Sequence, residues 1–199
     1  MPFSKRLFDL VFSLFLLPFL APPILLIYLA IIVSDGFPGF YRSERMKDAC
    51  TGFTLLKFRS MKVVSQDTGV SGGDKTARIF PVGKFLRKYR LDELPQIFNV
   101  IRGDISFVGP RPPLRQYVEK FPDIYTQVLR SRPGITGMAT IFYHKHEESL
   151  LKSCASAEET DAIYSDRCVP RKAQLDLIYQ RNRNLCMDLW LIKKTALRK

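Results

Sequence analysis

LFDLVFSLFLLPFLAPPILLIYLAIIV, residues 7–33, is the stretch on which the architecture of this 199-residue chain turns. It exceeds the roughly 20 apolar residues that cross a bilayer core, and no later stretch is apolar for long enough to enter a membrane alone. Lys5 and Arg6 ahead of it imitate the start of a secretory signal, but the run is too long and has no evident small-residue cleavage site, so it is expected to stay in the mature chain. Pro18, Pro22 and Pro23 fall in its middle, where each removes a backbone donor and clashes with the preceding turn, at a cost of roughly 3 kcal/mol. Both flanks are basic, Lys5 and Arg6 before and Arg42, Arg45 and Lys47 after, and the positive-inside tendency puts both in the cytoplasm. A re-entrant helix-break-helix over residues 1–36, broken near Pro22, satisfies both features. The alternative is one proline-kinked spanning helix.

Residues 37–199 read as one domain with its own core, the chain being too short for two. Lys plus Arg number 31 against 19 Asp plus Glu, a net +12 that calls for anionic surroundings: nucleic acid, lipid headgroups or phosphorylated small molecules. Beside a bilayer-seeking segment, lipid and phosphate outrank nucleic acid, because each juxtamembrane Lys or Arg gains about 1 kcal/mol from acidic headgroups. Cys50, Cys154, Cys168 and Cys186 are scattered, with only His144 and His146 to join them, which argues against zinc and for reduced thiols.

Along this domain, TGFTLLKFRSM (51–61) predicts a strand entering a basic loop, and the glycines within 64–75 predict a surface loop. RIFPVGKFLRKYR (78–90) suits a helix lying on headgroups, or equally an ordinary amphipathic helix. DELPQIFNVI (92–101) predicts a helix beginning near Asp92, with Pro95 tolerated in its first turn and Gly103 ending it. ISFVGPRPP (105–113) is an apolar stretch running into a Pro-bracketed turn, and ITGMATIFY (135–143) predicts a strand. Residues 157–167 predict a helix, and 171–199 interfacial helices carrying Leu185, Met187, Leu189, Trp190 and Ile192. The fold class is α+β, mainly helical, with a few short strands.

Asp92 and Glu93 stand at a predicted helix start, and taken alone such a pair is more often a cap than a catalyst. Arg87, Lys88 and Arg90 just upstream change that reading, because phosphoryl chemistry needs an oxyanion beside cations that neutralise phosphate. Arg111 is held between Pro110 and Pro112 and can present its guanidinium to a diphosphate; Lys57, Arg59 and Arg132 are further candidates for a phosphate cradle. His144-Lys145-His146 reads as a polar strand end. A phosphohydrolase with Asp92 as nucleophile, or a basic membrane scaffold in which the carboxylates only cap a helix, remain alternatives.

The ordered set KRLFD (5–9), KFRSM (57–61), LDELPQIFNVIRGDISFVGPRP (91–112) and RPGITG (132–137), followed by LDLIYQRN (175–182) and MDLWLIKKT (187–195), resembles the bacterial sugar transferase family of monotopic phosphoglycosyl transferases. The long central block is the specific part, and the likeness, closest to the small members, covers nearly the whole chain. The resemblance implies transfer of a sugar 1-phosphate from a UDP-sugar to undecaprenyl phosphate, among the phospholipids at the cytoplasmic face of the bacterial inner membrane. It implies a catalytic dyad of Asp92 and Glu93, a covalent intermediate on Asp92, and magnesium (Mg2+) held by these carboxylates; Arg87 and Arg111 match family arginines near the nucleotide diphosphate. It also implies a membrane helix broken at a Ser-Pro pair, which here is Ala21-Pro22, without the hydroxyl. After Gly137 many members read Trp or Leu and then Ala-Gln-Val-Asn-Gly-Arg, whereas this chain has Met138-Ala139-Thr140-Ile141-Phe142-Tyr143-His144, so a nucleotide-holding arginine has no match. The sugar, the glycan pathway and the oligomeric state stay open, a homodimer included.

Overall fold

The computed structural model describes residues 2–63 and 73–197. Its first element, α1 (Phe3–Asp35), is one uninterrupted helix of 33 residues, about 50 Å at 1.5 Å per residue. The expected break is therefore not an unwound segment. The three prolines delete only the bonds to the carbonyls of Leu14, Pro18 and Phe19, and the ladders on either side carry the helix through. Among the described residues α1 is the one helix long and apolar enough to cross a membrane, and only 11% of its most apolar window is buried, whereas a core helix would be mostly covered. Phe15, Phe19, Leu26 and Val33 stand exposed along it.

Both ends of α1 are nevertheless fastened to the same body. That body consists of β1 (Phe40–Met46), β2 (Gly52–Phe58), α2 (Pro81–Lys88), α3 (Gln96–Arg102), β3 (Ser106–Val108), α4 (Arg115–Lys120), α5 (Pro122–Val128), β4 (Gly134–Thr136), α6 (Met138–Phe142), α7 (His144–Lys152), α8 (Ala157–Ile163), α9 (Val169–Asn182) and α10 (Leu185–Ala196). At the start of α1, the Lys5 ammonium donates to Asp188 on α10 at 2.5 Å and to the Tyr179 hydroxyl on α9 at 3.2 Å. Arg6 donates to the carbonyls of Val100 and Ile101 at 2.6 and 2.7 Å, where the exposed end of α3 favours a cation. Asp9 accepts from the Ser106 hydroxyl and the Phe107 amide of β3. Ile24 and Ile31 then pack into a core with Phe58, Phe80, Leu86 and Ile97. The last residue, Asp35, pairs with Arg59 at 3.3 Å.

The mainly helical α+β class holds, with two small sheets. β1 and β2 form an antiparallel hairpin in which Tyr41 faces Lys57, Ser43 faces Leu55 and Arg45 faces Phe53. β3 and β4 pair in parallel, Ser106 beside Gly134 and Val108 beside Thr136. Gly109 and Gly134 make that pairing possible: a methyl group on either would fall onto the backbone of the other segment. Two expectations are corrected. ITGMATIFY is a strand only to Thr136; Met138 opens α6, whose Ala139 amide lies beside the buried carboxylate of Asp176 on α9. His144-Lys145-His146 consequently begins helix α7 instead of ending a strand. Residues 64–72 of the expected surface loop lie outside the described residues; Gly73–Arg78 is a 3-10 turn. All four cysteines are free thiols.

Candidate active site

Lys57 reaches the site from β2, where two-residue periodicity puts it on the hairpin face that also carries Leu55 and Arg45. Asp92 and Glu93 lie in a 3-10 turn, Leu91–Glu93, one short turn ahead of α3 and not within it. Arg90 makes that turn possible. Its φ of 56° is a left-handed conformation that non-glycine residues seldom adopt, and it swings the chain off α2 so that both carboxylates face the hairpin. Arg111 comes from the Pro110-Arg111-Pro112 segment, which is fixed by the Gly134 amide donating to the Pro110 carbonyl at 2.8 Å.

These parts rank the two carboxylates. Glu93 accepts from Lys57 at 3.0 Å and Arg111 at 2.9 Å on one oxygen, and from Arg90 at 3.0 Å on the other. Burial would push its carboxyl up, but Lys57, Arg111 and Arg90 more than offset this and hold it well below its ordinary value. Asp92 is equally buried, at 8% exposure, yet among the described residues its side chain has no hydrogen bond and no ion pair. Burial raises its carboxyl above the ordinary value; Lys57 and Arg87 offset this only in part, and the charge on Glu93 adds to it. One carboxylate is locked and the other is free.

Arg45 joins this group although its place in the sequence suggested only a flanking charge. It lines a small cleft with Lys57, Gln96, Arg111 and Pro112. Its Nε is buried without a partner, and burial, with the neighbouring Arg111 charge, lowers its basicity. Paired positions on one hairpin face would have revealed it had β1 been recognised as a strand. Of the anticipated cradle, Lys57, Arg87 and Arg111 surround the carboxylates, and Arg90 and Arg45 must be added. The structure places Arg59 and Arg132 elsewhere. Arg59 is spent on the end of α1, donating to the carbonyls of Asp35 and Gly36, and Arg132 donates to the Gly103 carbonyl at the end of α3. Lys5, Arg6 and Pro22 lie along α1, and the two cations bond to protein partners.

A dense set of cations around one open carboxylate, on a body strapped to an uncovered apolar helix, fits chemistry on a phosphorylated substrate at a membrane. The chain belongs to the bacterial sugar transferase family, whose sequence model matches residues 1–198. It is 37% identical to the undecaprenyl-phosphate galactose phosphotransferase of Salmonella typhimurium, over 98% of this chain and 40% of that protein. It is 35% identical to the UDP-glucose:undecaprenyl-phosphate glucose-1-phosphate transferase of Xanthomonas campestris pv. campestris, over 98% of this chain and 38% of that one. With the exopolysaccharide production protein ExoY of Sinorhizobium fredii it shares 31% identity over 96% of this chain and 83% of the relative. The chain spans about two-fifths of the length of the first two.

Proposed function

We propose that this protein transfers a sugar 1-phosphate from a UDP-sugar to undecaprenyl phosphate in two displacements at one phosphorus. The observation that carries the reading is an Asp92 carboxylate with no hydrogen bond or ion pair among the described residues, beside a Glu93 already held by three cations. An Asp92 oxygen attacks the phosphorus that bears the sugar, and the bond to the nucleoside monophosphate breaks, the leaving phosphate keeping the electron pair. A phosphate oxygen of the lipid acceptor then attacks the same phosphorus, a diphosphate forms, and the Asp92 carboxylate is released. No proton need move in either step. Arg87, Arg111 and Arg45 are the groups that face the donor's phosphates, while Glu93 keeps Lys57 and Arg90 in place. The three relatives named above, two undecaprenyl-phosphate transferases and one exopolysaccharide production protein, support the choice of donor and acceptor.

Magnesium fits this site through Asp92. Among the described residues there is no cluster of three or more acidic, His or Cys side chains, but this ion commonly takes one carboxylate and completes its shell with substrate phosphates and water. Glu93, with both oxygens engaged, is poorly suited as a ligand, which narrows the anticipated pair to Asp92. When bound, the ion would neutralise phosphate charge and ease departure of the nucleoside monophosphate.

The attachment of Lys5, Arg6 and Asp35 to a single body supports a re-entrant α1, with the body at the cytoplasmic face. Mass spectrometry after incubation with donor alone tests the mechanism. The peptide containing Asp92 should gain the mass of a sugar phosphate while nucleotide is released, and Asp92→Asn should do neither yet stay membrane-bound. Nucleotide release that requires both substrates, with no adduct and with activity kept in Asp92→Asn, would overturn it.

A further inference from the structure

Away from the carboxylates, α6 and α10 frame an open groove of about 610 Å³, within the roughly 300–1,000 Å³ typical of small-molecule sites. Its floor is apolar. Phe142 and Trp190 stack with ring centroids 6.1 Å apart, and Leu197 lies beside them; the three are 55%, 42% and 68% exposed. Its rim is cationic, with Lys145 from α7 and Lys193 and Lys194 from α10. Among the described residues none of the three forms an ion pair, and no carboxylate lines the groove. The nearby Asp188 is buried and taken by Lys5 and Tyr179. Lys194 lies 5.6 Å over the Trp190 ring.

The groove also has a definite position relative to the apolar helix. The Lys5–Asp188 bond ties α10 to the first turn of α1, and Phe3, Leu7 and Val11 in its first three turns are 82%, 50% and 59% exposed. On α10 itself Leu185 and Leu189 are also exposed. Trp and Lys on such a surface suit the headgroup level of a bilayer, rings in the apolar layer and ammonium groups in the polar one. A merely convex apolar face would treat the bilayer as a medium. A concave one with cations on one rim selects a molecule that has a chain and an anion.

We infer that the groove between α6 and α10 binds one anionic phospholipid, its acyl chain along Phe142, Trp190 and Leu197 and its phosphate among Lys145, Lys193 and Lys194. The inference rests on the membrane attachment of α1 and not on the transfer reaction.

Trp190 is the only tryptophan, so its fluorescence reports this groove without engineering. The full chain is placed in phosphatidylcholine vesicles that carry equal mole fractions of tail-brominated phosphatidylglycerol or tail-brominated phosphatidylcholine. Quenching by the brominated phosphatidylglycerol should saturate at on the order of tenfold lower mole fraction, as a few lysine–phosphate attractions allow. Lys145→Gln/Lys193→Gln/Lys194→Gln should abolish that preference while residual quenching by both lipids shows that the protein still folds and inserts; Lys193→Gln alone should weaken it. Asp92→Asn should keep the preference, so failure of the transfer mechanism and failure of the lipid site are read separately. Equal quenching by both lipids in the wild type, no quenching by either, a preference that survives the triple change, or complete displacement by trace polyprenyl phosphate would each overturn the assignment.

Discussion

Two adjacent carboxylates in one turn should respond to neutralisation with opposite signs of stability. Glu93 has a 9% exposed side chain and three cationic partners at 2.9–3.0 Å. Removing one member of a buried pair costs about 3–5 kcal/mol, and the lower end applies because the amide carbonyl introduced by Glu93→Gln still accepts one bond and Arg111 is 40% exposed to solvent. For a chain of this size about 3 kcal/mol corresponds to a Tm lowered by about 6–12 °C. Among the described residues Asp92 has no side-chain hydrogen bond or ion pair to lose, and its ionised form suffers from burial, so Asp92→Asn should leave Tm within about 2 °C of the wild type or raise it, while abolishing turnover. Acidity sharpens the contrast. Glu93, held well below 4.5, contributes stability that is present above that value and lost as pH falls through its lowered value in the folded protein. Asp92, raised above 3.8, contributes stability that is present below 3.8 and lost as pH rises through its raised value. Unfolding in detergent followed by circular dichroism at several pH values, beside nucleotide release, measures all of this. Equal losses in the two variants, or a larger loss for Asp92→Asn, would mean that Asp92 is the engaged carboxylate and that the assignment is reversed.

Exhaustive chelation should stop nucleotide release and magnesium should restore it; full turnover in chelator contradicts a metal requirement. Cysteines placed at the exposed positions Ser4 and Arg42, in a chain with the exposed Cys50 and Cys186 replaced, should both react with an impermeant maleimide from one side of oriented vesicles, and opposite-side labelling would restore a spanning helix. Arg45→Gln should raise KM for the donor about tenfold or more with little change in kcat and no loss of unliganded Tm; lost Tm with unchanged KM would make Arg45 structural. Asp176 is pushed by burial up to about 7, so its protonated form favours folding: wild-type stability should decline as pH rises toward about 7, and Asp176→Asn should lack that component. Identical pH slopes would refute it.

Features governed by local chemistry were legible in the chain. Gly103 ends α3 because its φ of 84° suits glycine, β2 follows from its branched and aromatic residues, and α9 and α10 follow from helical spacing. Features that depend on a distant partner were not. β1, FYRSERM, has polar residues that hide a strand until β2 pairs with it. MATIF is aromatic and branched enough for a strand, but it folds as α6 against α9, with the Asp176 carboxylate, far along the chain, beside its first turn.

The cations show the same limit with more consequence. Lys57, Arg59, Arg111 and Arg132 were indistinguishable as residue types, and which of them meets a carboxylate and which a helix-end carbonyl is decided only by the fold. Four basic residues near the start or in the specific motifs, Lys5, Arg6, Arg59 and Arg132, hold helix ends or a buried aspartate. Net charge therefore overstates what faces lipid or substrate. The charge that does face outward beside apolar surface sits on Lys84 and Lys88 of α2, next to the exposed Phe85 and Tyr89, and on Lys145, Lys193 and Lys194 around Trp190. Adsorption to anionic vesicles should accordingly weaken when these exposed lysines are neutralised and stay unchanged in Arg132→Gln, whose partner is a backbone carbonyl inside the protein.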